Sequence, residues 1–346
     1  MEFALYDPQH GYYARRPRRS GRAGDFFTSV DVGPLFGELL EIQVAEMAGL
    51  MGRQTAIDLV EAGAGDGRLS ADLLRAARRR HPRLYEQLQL HLVEASPRAR
   101  SVHLDTLGDV SDRLRSSSDA LPQSFHGVLL ANELLDALPV HQVVMRDTGL
   151  REVYVDVSPE GELVTREGPL STPALSDYLD RLAVALEPGW RVEINLRAVD
   201  WMRDAASRLR RGFIILIDYG HEARELYSAA HSAGTLTTFT DHRASGSENR
   251  QPEWLDRPGD QDITAHVDFS TIRDVAEREG LVTLGFLDQT YFVLGLMSDT
   301  TEVTRPNALK TLLMPGGLGS THKVMIFGKN LGHPELRGCS FRQRVT

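Results

Sequence analysis

The stretch LVEAGAGDGRLS, residues 59 to 70, constrains the fold more than any other part of the chain. It joins an apolar run, TAIDLVEA, to a loop with glycines at 63, 65 and 67, and that loop to a segment of helical spacing, LSADLLRAARRR. The apolar run is too short for a helix and is bounded by glycine, so it reads as a buried parallel strand. A buried strand that turns tightly into a helix is the opening unit of a parallel α/β sheet.

The rest of the chain repeats the unit. LQLHLVEAS ends at Glu94, FHGVLLANE ends at Asn132-Glu133, and RGFIILIDYG (211 to 220) ends in Asp218-Tyr219-Gly220. Helical stretches lie between them, AVDWMRDAASRLRR (198 to 211) among them, and LFGELLEIQVAEMAGLM (35 to 51) places apolar side chains at 36, 39, 40, 44, 47 and 51 on one face. Strands that alternate with helices predict a Rossmann-like parallel sheet with helices on both faces. Ligands of such sheets bind beyond the carboxyl ends of the strands, so Glu61, Glu94, Glu133 and Asp218 are expected on one rim.

Two regions break the pattern. Residues 141 to 165 alternate at period two, with turn signals at DTG and PEG, and predict an antiparallel β-meander inserted after the fourth core strand. Residues 241 to 262 are polar and rich in Gly, Pro and Ser, a long surface loop with the character of a lid. VTLGFLDQ and HKVMIFGK are expected as closing strands. The predicted plan is an N-terminal helical cap over 1–52, a core over 53–140 and 186–330, the inserted meander and substrate region over 141–185, and a C-terminal tail over 331–346.

The glycine spacing selects the ligand. Dinucleotide folds use G-x-G-x-x-G and phosphate loops end in Gly-Lys-Ser/Thr; here the pattern is G-x-G-x-G, followed by Arg68-Leu69. Glu61, two residues before the first glycine, would repel a phosphate but attract an amino group or a sulfonium. S-adenosylmethionine carries both. Bare backbone at Gly63 and Gly65 allows the methionine moiety and ribose to approach, and Glu94 is placed to accept from the ribose hydroxyls.

Bulk properties narrow the partners. The chain has 346 residues, a net charge of −9 and one cysteine, Cys339, which excludes an internal disulfide. The acidic balance argues against nucleic acid or an anionic membrane, and the basic run RRPRRSGR (15 to 22) reads as a solvated loop. The opening MEFALYDPQHGYY lacks a signal-peptide pattern and no apolar run spans a membrane, so a cytoplasmic location is expected. The 12 histidines are scattered along the sequence, and no metal site is expected.

Several motifs together resemble the MidA family of S-adenosylmethionine-dependent methyltransferases: LYDPQHGYY (5 to 13), GDFFTS…LFGELL (24 to 40), EAGAGDG (61 to 67), ANELLDALPV (131 to 140), IDYG (217 to 220), DITAHVDF (262 to 269) and GLGSTHKVM (317 to 325). The resemblance covers almost the whole chain. It implies a class I methyltransferase fold and, from a family member that methylates arginine in a respiratory-chain subunit, an arginine acceptor. Ala64, Ser29-Val30-Asp31 and the loop at 244 to 261 depart from the family pattern, around the expected substrate entrance.

Methyl transfer is an in-line displacement at carbon, in which positioning supplies much of the acceleration. A guanidinium acceptor is protonated and delocalised, and a carboxylate that grips two of its N–H groups would localise the charge and aim the third nitrogen. Glu133 is the first candidate for that role and Asp136 the second, an acidic pair to which the resemblance also points. His266 is read either as a proton acceptor or substrate contact, or as a structural histidine, and Asp268 as a helix N-cap. GDFFTS is expected to fold over the cofactor, with Thr28 and Ser29 donating to its carboxylate and Gly24 permitting a tight approach, and Asn132 to hold cofactor or acceptor. The expected function is N-methylation of arginine in a protein partner. The alternatives are a small-molecule O- or N-methyltransferase and a non-catalytic assembly factor that retains cofactor binding. A homodimer is left open.

Overall fold

The apolar run before the glycines forms β1 (Ile57–Ala62), the strand around which the main sheet is built. The structure is a computed structural model and describes residues 1–15, 29–52, 56–240, 243–245, 252–297, 306–314 and 318–341. Strands are numbered in chain order. β1 pairs in parallel with β2 (Leu88–Val93) on one side and with β4 (Phe125–Asn132) on the other. β3 (Leu114–Ser118) extends the sheet beyond β2. β9 (Leu209–His221) lies parallel to β4, and the last strand, β15 (His322–Lys329), runs antiparallel between β9 and β14 (Val282–Asp288). The order is β14-β15-β9-β4-β1-β2-β3. The chain steps from β1 through β2 to β3 and then crosses to the far side of β1, so the order reverses between β1 and β4. A ligand crevice is expected beyond their carboxyl ends.

This sheet belongs to a compact unit made of residues 27–134, 202–219 and 275–346. Leu59, Val128, Leu130, Ile215 and Ile217 are buried in one cluster with Phe36, Leu39, Leu40, Leu73 and Leu74 of the helices Leu35–Leu50 and Arg68–Arg80. The alternate residues Val60, Leu129, Ile214 and Leu216 are also buried. Both faces are therefore covered, as the unbroken apolar runs of the strands require. All six apolar positions predicted on the first helix, from Phe36 to Met51, are buried. The arginines that end the second helix are paired within the unit, Arg78 with Asp109 and Arg79 with Glu38, so that basic run needs no partner.

The second unit comprises residues 1–26, 135–201 and 220–274. The predicted meander is present as β5 (His141–Arg146), β6 (Gly149–Val157) and β7 (Leu163–Gly168), with β8 (Arg191–Ile194) added beside β5. A smaller sheet joins β11 (Arg243–Ser245), β10 (Thr237–Thr240) and β12 (Asp262–Thr264). β13 (Val267–Asp268) pairs with the end of β9, with Val267 opposite Gly220 and Asp268 opposite His221. Leu5, Tyr12 and Ile263 form a small core, and the Tyr13 hydroxyl donates to Asp262 at 3.0 Å, so both tyrosines serve packing. Asp268 is the expected N-cap: its Oδ1 accepts from the amides of Ser270 at 3.0 Å and Thr271 at 3.2 Å.

The expected segment boundaries divide differently in space. The cap over 1–52 is not one body: residues 1–26 belong to the second unit, while the helix Leu35–Leu50 packs in the first, because its long apolar face is matched to the sheet core. Residues 186–201, read as core, belong with the meander, where β8 supplies an edge. The segment after 331 is no free tail through Phe341: the amide of Gly338 donates to Gln43 at 3.0 Å and Cys339 is buried. Of the predicted lid (241 to 262), residues 241–242 and 246–251 lie outside the described residues, and the described part is not all loop, since it includes β11 and the turn Glu253–Leu255; most of the basic run at 15 to 22 also lies outside them. Arg15 is described and pairs with Asp260 at 2.9 Å.

Candidate active site

The three glycines of the loop take left-handed backbone conformations. Gly63, Gly65 and Gly67 have φ of 72°, 55° and 86°, a region that side-chain-bearing residues rarely enter. The amides of Gly63 and Ala64 donate to the carbonyl of Val93 at 2.9 and 3.1 Å, tying the loop to the end of β2. A Cβ at Gly63 would lie 3.1 Å from Leu134 Cδ1, and one at Gly67 would lie 3.1 Å from Leu92 Cδ1. At Gly65 it would meet nothing within 4 Å. The loop is thus packed on either side of Gly65 and open at Gly65 itself.

The two acids at the strand ends face the loop's own donors. Glu94 accepts from the amide of Gly65 through Oε2 and from the amide of Ser96 through Oε1, both at 2.9 Å. The ring of His103 bridges the carbonyl of Gly65 at 2.9 Å and Ser117 Oγ at 2.9 Å. Glu61 shares a sheet face with Leu59, the face covered by the helix Arg68–Arg80, and its Oε2 accepts from the hydroxyl of Ser70 and from the Ser70 amide at 3.2 Å. Burial pushes the Glu61 carboxyl up to about 8, against the lowering effect of the Ser70 bonds. Both carboxylates therefore anchor main chain around the turn, a contact that spacing alone does not specify.

Across the reversal point lies a buried polar group at the end of β4. Glu133 adopts φ of 51°, a strained left-handed conformation for a residue with a side chain, while its amide donates to Ile217 at 2.8 Å. Asn132 Nδ2 donates to Glu133 Oε1 at 3.2 Å, and His322 Nε2 stands 3.5 Å from the same oxygen. The Tyr219 ring meets the His322 ring edge-on at 5.6 Å between centroids. Asn132 Oδ1, Glu133 Oε2 and His322 Nε2 are buried and have no hydrogen-bond partner among the described residues. Buried polar atoms are nearly always satisfied, so this cluster is the candidate for a ligand contact at the rim.

His322 was not among the predicted site residues, although GLGSTHKVM contains it. The available signal was a polar Thr321-His322 step placed just before the apolar VMIF, at the mouth of a core strand. Its neighbour Lys323 is fully buried against Asp288 at 2.6 Å and also donates to the Ser320 carbonyl at 3.0 Å.

The structure brings Glu61, Gly63, Gly65, Glu94, Asn132 and Glu133 together at the carboxyl ends of β1, β2 and β4. Ser29 is in the same unit, but its buried hydroxyl donates to Gln289 Oε1 at 3.0 Å and so ties down a turn. Gly24 and Thr28 lie outside the described residues. Asp136 and His266 belong to the second unit. Asp136 is buried there, with its carbonyl accepting from the Ala265 amide at 3.0 Å. His266 lies beside two other histidines; desolvation first, then the charges of His221 and His231, drive its ring down to about 3, which keeps it neutral. The absence of metal spacing in the sequence does not survive folding: ring nitrogens of His221, His231 and His266 come within 4.8 Å of one another.

Comparison with known proteins identifies the family. Residues 39–287 match the family model described as "Putative S-adenosyl-L-methionine-dependent methyltransferase". The chain is 30% identical to "Protein arginine methyltransferase NDUFAF7, mitochondrial" of Danio rerio, over 87% of this chain and 72% of that protein. It is 29% identical to the Homo sapiens protein of the same name, over 99% of this chain and 77% of that protein. A crystal structure from Burkholderia thailandensis bound to S-adenosyl-homocysteine superposes with a TM-score of 0.87 at 30% identity, covering 99% of this chain and 89% of that one.

These relatives overturn one expectation. The curated proteins that the chain resembles are named mitochondrial, against the cytoplasmic location read from the first residues. The missing signal-peptide pattern argues only about secretion and does not decide among compartments. Among the described residues no helix is long and apolar enough to cross a membrane.

Proposed function

The chain belongs to the MidA family of S-adenosylmethionine-dependent methyltransferases, and from that membership we propose that it transfers the methyl group to an arginine of a protein partner. The observation that carries the proposal is Glu133, held in a strained left-handed backbone with one buried carboxylate oxygen that has no hydrogen-bond partner among the described residues. The names of the curated relatives support the acceptor class.

The residues present fit the cofactor. Gly65 leaves open space beside bare backbone, and Glu94 is fixed at the end of β2 by the amides of Gly65 and Ser96. We assign Gly63 and Gly65 to the methionine and ribose portions, Glu94 to the ribose hydroxyls, and Glu61 to holding the loop against the helix through Ser70. When bound, S-adenosylmethionine supplies a methyl group already activated on a sulfonium.

The acceptor must then be held and relieved of charge. Glu133 binds two N–H groups of the guanidinium, which localises its positive charge and points the third nitrogen outward. Asn132, donating to Glu133 Oε1, keeps that carboxylate in its rotamer. His322 Nε2, 3.5 Å from Glu133, receives the proton released as the arginine nitrogen gains a methyl group.

The test is label transfer from S-adenosylmethionine to host protein, read as methylarginine after hydrolysis. Glu133→Gln keeps the shape but lowers the charge of the clamp, so methyl transfer should fall by at least about 100-fold while S-adenosyl-homocysteine affinity changes by less than about 3-fold. Wild-type turnover in Glu133→Gln would remove Glu133 from the mechanism. Label confined to small molecules would remove the arginine acceptor.

A further inference from the structure

We propose that His221, His231 and His266 form a binding site for one divalent first-row transition metal, with zinc as the reference ion. Their ring nitrogens lie within 4.8 Å of one another, and their ring centroids are separated by 4.8, 5.3 and 5.8 Å. Zinc–nitrogen bonds of about 2.0–2.1 Å in a tetrahedron separate ligand nitrogens by about 3.3 Å. Closure by up to about 1.5 Å would convert the open triangle into a coordination face. Three imidazoles without a thiolate suit zinc, copper, nickel or iron, and a three-histidine face leaves a fourth position for water or another ligand.

The surroundings have the second layer that such sites use. Histidine ligands commonly have their other ring nitrogen held by a carboxylate or a carbonyl, which fixes the tautomer. Glu225 supplies both. Its carboxylate lies 3.0 Å from His221 Nδ1, and its carbonyl lies 3.0 Å from His231 Nδ1. The carbonyl contact fixes the His231 tautomer, so that ring offers Nε2 as its lone pair, and the carboxylate places negative charge beside His221. His266 is set by its main chain: its amide donates to Thr235 Oγ1 at 3.1 Å. Thr235 is in turn anchored to the buried Glu193 through its amide at 2.7 Å and its hydroxyl at 3.0 Å.

The three residues come from separate elements. His221 closes β9, His231 ends the turn Ala229–His231, and His266 sits between β12 and β13. β13 pairs with the end of β9, which sets His266 beside His221. Nothing in the proposed methyl transfer uses this cluster, so it is a separate site.

The experiment uses the untagged full-length chain, stripped with a chelator and titrated with zinc chloride against a chromogenic competitor. One equivalent per chain is expected, with ring-nitrogen NMR shifts confined to three of the 12 histidines. Cobalt(II) in the same protein should give the intense visible bands of a tetrahedral site. His231→Ala should weaken zinc by more than about 100-fold, and Glu225→Ala by about 10- to 100-fold, with folding checked by circular dichroism. Failure of the wild type to take up one equivalent, or shifts at other histidines, overturns the site whatever the variants do. Retention of wild-type affinity by a folded His231→Ala overturns it as well.

Discussion

Gly65→Ala separates a glycine kept for its ligand from glycines kept for their packing. The new methyl would meet no atom within 4 Å, so the fold can accept it without a clash. The backbone at φ of 55° is the only penalty, about 1–2 kcal/mol for a side-chain-bearing residue in the left-handed region. Part of that is offset by the smaller entropy of the unfolded chain, about 0.4–1 kcal/mol, for a net loss of about 1 kcal/mol. The methyl, however, stands where the cofactor is proposed to lie against bare backbone. Loss of that approach should weaken S-adenosyl-homocysteine by at least about 100-fold, or about 2.8 kcal/mol. Gly127→Ala is the contrast: its methyl would sit 1.9 Å from the carbonyl of Asp58 on the neighbouring strand, and the sheet cannot form around it. Calorimetric titration with S-adenosyl-homocysteine, alongside denaturant melts of both variants, reads the two effects separately. A folded Gly65→Ala that binds like wild type would show that the open side of the loop is not where the cofactor goes. A Gly65→Ala that fails to fold like Gly127→Ala would show that the space is not open.

Glu61 makes stability depend on pH. Its carboxyl titrates near 8 in the fold but near the usual carboxylate value when unfolded, so the native state holds the proton more tightly. The contribution is full below the unfolded value and is lost as pH rises through about 8. Denaturant melts at pH 5.5 and 8.5 should show a decline on the order of a few kcal/mol that Glu61→Gln removes; an unchanged slope refutes the assignment. Lys323→Met strands the buried Asp288 carboxylate and should cost about 3–5 kcal/mol, while Lys323→Met with Asp288→Leu should recover most of it. Equal melts for the single and double variants would refute that.

Legibility followed periodicity. The helix Leu35–Leu50 was readable because its apolar residues recur on one face, and β1 because Ile57 to Ala62 is an apolar run ended by glycine. β3 was missed because Leu114–Ser118 is a half-exposed edge strand of mostly polar residues, with neither an apolar run nor clear alternation. Positions at the strand ends were readable, but the directions of their side chains were not. Glu61 meets Ser70, nine residues on, and Glu94 meets Gly65, 29 residues back, through contacts that exist only once helix and sheet are packed. Ser29 is claimed by Gln289, 260 residues away. The three-histidine cluster was invisible for the same reason: its members look scattered until β13 pairs with β9 and the turn Ala229–His231 folds back.

β15 lies between β9 and β14, yet it is the last strand of the sheet to leave the ribosome. Until it emerges, β9 presents an unpaired apolar edge, the kind of surface that invites aggregation. His322 is its first residue, so the ring beside Glu133 arrives only when synthesis is nearly finished. A prematurely terminated chain would carry the glycine turn but not the finished polar cluster around Glu133, and would be conspicuous to proteases.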